Sequence, residues 1–299
     1  MKAGKLNEPY IAIMKDGKLS YGGNQEWWKG RSMSGYGCGT IAATDILLYL
    51  DLHKDYCKGK EFQEEEKGNG ILDAEVYEKC VETMRKKYFP IIPGLGIPGW
   101  LLGIEVNRYF IKNRIPLKAA FGVRSRNIPN RIKAMLAHDI PVILAIGPNF
   151  PIPLRKHKLA FYNKTEEGYE KIAETAAHFV VVTGFESEWL RISSWGREYY
   201  INFYEYQNYV KKHSCSLVSN IAILKRENKI KRGRGKQYEK QRSRLIDSRI
   251  SFYKQCCCKQ YRSTGSSMEY RQSWLVVLPY RWKLYNKCMG IYQRKVVLF

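Results

Sequence analysis

Residues 34–50 read SGYGCGTIAATDILLYL. From Ile41 to Leu50 the stretch is apolar around most of a helical circumference, which predicts a buried helix rather than an amphipathic surface one. Cys38 stands between Gly37 and Gly39, immediately before that helix. A helix N-terminus offers unpaired N–H groups and a partial positive charge, and both stabilise a thiolate. The same N–H groups can hold the oxyanion of a tetrahedral intermediate. Flanking glycines would let a substrate carbonyl approach the backbone and would tolerate unusual torsions. The bland alternative is a small buried residue at a turn, which an isolated cysteine often is.

Beyond this stretch, Glu75–Tyr88, Trp100–Lys112 and Arg131–His138 carry helical patterns, with Pro98 and Gly99 just before the second. Strand patterns dominate after residue 140. They are Pro141–Ile146, a hairpin of Leu159–Asn163 with Tyr169–Ile172, then His178–Thr183, Trp189–Ser193, Tyr199–Asn202 and Val218–Leu224. Helices first and strands afterwards predict an α+β protein of two lobes.

A nucleophile needs a base. His178 opens HFVVVTGF, 140 residues beyond Cys38. At a strand edge it can turn its ring to a cleft while its neighbours pack, and its near-neutral pKa suits proton exchange with a thiol. A purely structural histidine is the alternative. His53, His138, His157 and His213 lack such a setting. A Cys–His pair is usually completed by an Asn or Asp that orients the imidazole and a Trp that shields the contact; Ile192-Ser193-Ser194-Trp195-Gly196 follows at that point, with Ser193 as the candidate for the orienting place.

In these three segments the chain resembles the papain-like cysteine peptidases, and within them the bacterial C39-like peptidases, over roughly residues 20–225. The resemblance rests on GYGCGTIAATDILLY, HFVVVTGF and ISSWG followed by YYIN. It implies a helical N-terminal lobe whose central Cys-bearing helix packs on a C-terminal antiparallel sheet. It also implies a peptide or amide substrate, Cys38 as nucleophile, His178 as general base, and a cleft that includes Gly37, Gly39 and Trp195. Two departures stand out. Ser193 occupies the place of the family's Asn, and the oxyanion-hole Gln expected about six residues before the Cys is replaced by Ser32. Gln25, in GGNQEWWKG, could supply that amide if residues 27–36 form an inserted loop; a surface glutamine is the alternative. Trp27, Trp28, Trp100 and the loop Pro90–Gly99 are further candidates for cleft walls, or for ordinary core and connection. The implied chemistry is acyl transfer through a Cys38 thioester. Transfer to an amine acceptor and a degenerate papain-fold binding module are the rival readings.

The net charge of +23 over 299 residues looks like a nucleic-acid signature until it is divided. Residues 1–225 hold 32 Lys+Arg against 24 Asp+Glu, whereas residues 226–299 hold 19 against 4. The second segment also lacks Ala and His and carries Cys256, Cys257, Cys258 and Cys288. Three readings fit it: a solvated disordered tail, a non-native sequence produced by a frame slip near ENKIKRGRGK, or a basic nucleic-acid-binding tail. Nucleic acid is not the expected partner of residues 1–225.

No cofactor or metal is expected. The consecutive thiols 256–258 lack metal-ligand spacing, and GLGIPG at 94–99 contains Pro and follows no Rossmann strand. Cys38, Cys57, Cys80 and Cys215 form no CxxC pair, which points to a reducing compartment, with the cytoplasm as the expectation. No run approaches the roughly 18 apolar residues of a membrane-spanning helix, and the start lacks a signal-peptide pattern.

Overall fold

The computed structural model describes residues 4–62, 71–92, 94–149 and 156–226. By contacts the chain divides into Met1–Arg242 and Ser243–Phe299. Everything expected of residues 226–299, Arg226 apart, therefore lies outside the described residues.

The protein is α+β. The first elements are β1 (Gly4–Lys5), β2 (Ala12–Lys15), β3 (Lys18–Tyr21), α1 (Arg31–Tyr36), α2 (Cys38–His53), β4 (Ile71–Asp73), α3 (Ala74–Lys87) and α4 (Gly99–Lys112). Then come β5 (Leu117–Phe121), α5 (Ile128–Ala137), β6 (Val142–Ile146), β7 (Leu159–Lys164), β8 (Tyr169–Thr175) and β9 (His178–Glu186). The chain continues through β10 (Trp189–Ser194), β11 (Arg197–Asn202), α6 (Phe203–His213) and β12 (Ile221–Arg226). A large sheet runs β5-β12-β6-β9-β10-β11-β7-β8, with β1 also paired to β9, and its pairings are antiparallel. A small sheet, β3-β2-β4, combines an antiparallel and a parallel pair.

The helix α2 is the spine. Every residue from Gly39 to Asp51 is buried, as an all-round apolar sequence requires. Its polar side chains are paired within the core: Thr40 Oγ1 donates to the Phe89 carbonyl at 3.1 Å and Thr44 Oγ1 to the Thr40 carbonyl at 2.9 Å. The helix packs on β9, β6, α3 and α4. In β9, apart from half-buried Phe179, every residue from His178 to Phe185 is buried. A strand covered on both faces reads this way, and α2 and α5 both pack on it. This is the Cys-bearing helix on an antiparallel sheet that the resemblance implies.

Several elements escape the sequence patterns. The β2–β3 hairpin turns at Asp16-Gly17, both at positive φ (51° and 72°), where the DG pair is the signal. The helix α6 is capped by Asn202, whose side chain accepts from Tyr204 N and Glu205 N. The helix α5 starts at Ile128 rather than Arg131, because Pro129 fits the first turn. No helix among the described residues is long and apolar enough to cross a membrane.

Candidate active site

Three pieces of chain meet at the N-terminus of α2. Cys38 is its first residue and is half-buried. Gly37 precedes it with φ −83° and ψ −3°, an ordinary conformation for any residue. What makes Gly37 necessary is space: a Cβ there would meet the Met33 carbonyl at 2.5 Å and Met33 Sδ at 2.7 Å. At Gly39 a Cβ would meet Ile97 Cγ2 at 2.4 Å and Phe179 Cδ2 at 3.2 Å. The glycines expected to form cleft walls with unusual torsions instead let the helix start close to α1, β9 and the 90–99 loop.

The second piece is His178, first residue of β9 and 7% exposed. Burial alone pushes its imidazole down to about 3, so the ring is neutral through the neutral pH range. Its Nε2 lies 2.8 Å from Ser194 Oγ. Trp195 stacks on the imidazole, with centroids 4.5 Å apart and planes inclined by 18°, and Phe161 and Tyr199 surround the Trp. Trp195 and Gly196 are the two residues between β10 and β11 and both have positive φ, 48° and 70°. That is the geometry of a tight two-residue hairpin whose twist matches its strands.

Here the sequence reading needs a correction. Ser193, the residue in the place of the family's Asn, does not meet the histidine. It donates through Oγ to the Tyr21 carbonyl at 2.7 Å, and the hydroxyl on the imidazole is that of Ser194. Successive strand residues leave the backbone on opposite sides, so only one of two neighbouring serines can face the ring.

The third piece is the segment 20–25. Tyr21 N donates to the Gly196 carbonyl at 2.8 Å and Gly196 N returns a bond to the Gly23 carbonyl at 3.0 Å. Gln25 opens a 3-10 turn (Gln25–Trp27) and is 9% exposed. Its Nε2 donates to the Ser34 carbonyl at 2.6 Å, whereas its buried Oε1 has no hydrogen-bond partner. Between Gln25 and Cys38 lie the 3-10 turn and the short α1.

A residue that the sequence patterns passed over lies beneath. Asp45 is seven residues after Cys38, two turns along the same face of α2, and is 1% exposed. Tyr10 Oη donates to its Oδ2 at 3.2 Å, Gly23 N to the same oxygen at 3.0 Å, and Tyr77 Oη to Oδ1 at 2.5 Å. Burial pushes its carboxyl up to about 6, against the lowering pull of those three donors. An acid in the apolar middle of α2, seven residues on from the cysteine and so in phase with it, is the signal that could have found it.

These pieces border a small, partly open pocket lined by Gln25, Cys38, Asp45, His178, Ser193, Ser194 and Trp195 among others. Gly37 and Gly39 are not on its walls, nor are Trp27, Trp28 and Trp100. Trp100 is buried in α4, and Trp27 stands edge-on to Tyr77. Among the described residues no three His, Cys, Asp or Glu gather as a metal-ion group.

No family model matches the chain, and no curated protein matches it. A solved structure, that of a "putative C39-like peptidase from Bacillus anthracis", is similar at 16% identity and a TM-score of 0.37, over 76% of this chain and 100% of its own. The likeness is a distant one.

Proposed function

We propose that the protein is a cysteine-type peptidase or amidase. The observation that carries this reading is that Cys38, at the head of a buried helix, and His178, held through one ring nitrogen, line the same pocket. A neutral imidazole whose Nε2–H is taken by Ser194 presents Nδ1 as a proton acceptor. As the Cys38 sulfur attacks an amide carbon, its proton passes to Nδ1, the C–S bond forms and the carbonyl π pair moves onto oxygen. In this reading backbone N–H groups at the start of α2 hold that oxygen, joined by the second Nε2–H of Gln25, whose first is taken by the Ser34 carbonyl. Collapse breaks the C–N bond, the leaving amine takes the proton back from His178, and water then hydrolyses the thioester.

Iodoacetamide tests the pair. At pH 6 Cys38 is expected to alkylate about tenfold faster than glutathione, and His178→Ala to bring it to the rate of an ordinary thiol. Equal rates in both proteins would remove the hydrolase reading. The second reading, a papain-fold binding module, draws on the missing Asn at position 193 and predicts that equality.

A further inference from the structure

We infer that Asp45 and Ser193 are positioning residues that clamp the segment Tyr21–Gly23 from two sides and thereby set the Gln25 amide over Cys38. The inference rests on the reading of Cys38 as nucleophile and extends it to groups that touch no substrate.

The segment has almost no freedom left. From the side of α2, the Asp45 carboxylate accepts the Gly23 N–H at 3.0 Å. From the side of β10, the Ser193 hydroxyl donates to the Tyr21 carbonyl at 2.7 Å. The remaining backbone groups are also spoken for: Gly22 N donates to the Ile11 carbonyl at 3.0 Å, and Ser20 Oγ to the Gly22 carbonyl at 2.9 Å. The chain passes so tightly between its clamps that side chains are excluded. Gly22 has φ +76°, and a Cβ there would meet Ser193 Oγ at 2.3 Å and Asp45 Oδ2 at 2.7 Å. At Gly23 a Cβ would meet Tyr77 Oη at 1.9 Å, the hydroxyl that also holds Asp45.

Gln25 follows two residues later, with its amide nitrogen on Ser34 and its buried Oε1 unpaired. The Ser34 carbonyl fixes one amide N–H, and the backbone held by the clamp fixes where the side chain starts. Asp45 shares α2 with Cys38, so one rigid helix fixes both the sulfur and the anchor of the amide. This gives a reason for a carboxylate at a buried position, where an apolar residue of similar volume would ordinarily serve at least as well.

Acetamidoacetaldehyde separates the two roles. The Cys38 S–H adds across its C=O, sulfur bonding to carbon and the proton passing to oxygen, so the hemithioacetal samples the oxyanion position. Alkylation by iodoacetamide does not. Gln25→Ala is expected to weaken the aldehyde adduct about tenfold or more while leaving the alkylation rate within twofold. Ser193→Ala and Asp45→Ala are expected to do the same, by several-fold and about tenfold. Because both act through Gln25, Ser193→Ala in the Gln25→Ala background is expected to cause no further loss. Ser193→Ala removes only a hydroxyl and so carries the test if Asp45→Ala does not fold. Two results would overturn the clamp alone: adduct weakened by Gln25→Ala but untouched by Ser193→Ala, or equal losses from Ser193→Ala with and without Gln25. Failure of the wild-type Cys38 to form any adduct would overturn the nucleophile reading, and the clamp with it.

Discussion

Among the individual side chains, the histidine and its surroundings make the sharpest prediction. His178 is depressed to about 3 by burial, and the stacked Trp195 is much of its cover. In Trp195→Ala the ring gains water, so its pKa is expected to rise toward the ordinary 6.5. Histidine NMR titration reads this directly; an unchanged His178 resonance between pH 7 and 5 in the variant would refute it. Because the folded pKa lies below the unfolded one, the unfolded chain binds the proton first. Stability is therefore lost as pH falls from about 6.5 toward 3. Asp45 behaves oppositely, since its folded value of about 6 lies above the unfolded one. Its contribution is full below about pH 4 and is lost as pH rises through 6. Urea midpoints from pH 4 to 8, for the wild type against Asp45→Asn, are expected to show the wild type losing ground to the variant as pH rises across that window. At Ser194→Ala the buried Nε2 loses its partner, at a cost of about 1–3 kcal/mol.

For the helices and strands, the start of α2 depends on the close approach that Gly39 permits. A methyl at position 39 meets the branched, stiff Ile97 and the ring of Phe179. Gly39→Ala is therefore expected to cost about 1–3 kcal/mol by overpacking and to slow Cys38 alkylation, because the helix start must shift. A denaturant melt and the labelling rate check it together; wild-type values in both would show that the loop bearing Ile97 yields freely. Further along, Leu48 is fully buried, and Leu48→Ala is expected to cost about 2–5 kcal/mol without altering the pocket.

For the molecule as a unit, the residues of the pocket and the sheet that supports them all lie between Gly4 and Arg226. The strand β12 is the limit. It pairs with β5 on one side and β6 on the other, so removing it would split the large sheet. A chain ending after Arg242 is expected to keep the cooperative melt and the Cys38 labelling rate of the full chain, whereas one ending at Ser219 is expected to lose both. Circular dichroism and mass spectrometry of labelled protein distinguish the outcomes. Loss of the fold in the longer of these two truncated chains would mean that the last 57 residues take part in it.

The α+β class, the buried helix headed by Cys38 and the apolar strand opened by His178 are legible in the amino-acid sequence. Each is written locally, in apolar periodicity or in a run of β-branched residues. Gln25 enters only through the resemblance, as the candidate for a displaced amide. Which serine meets the imidazole was not legible, since the facing of Ser193 and Ser194 depends on how β10 pairs with β9, with a register shift between Arg191 and Ile192. Nor was the part played by Asp45, an acid that reads as an interruption of its helix until Tyr10, Gly23 and Tyr77 arrive from distant parts of the chain to satisfy it. Local pattern fixes which segments form helices and strands. Only tertiary packing brings together donors from separate segments, and a buried carboxylate has no physical sense without them.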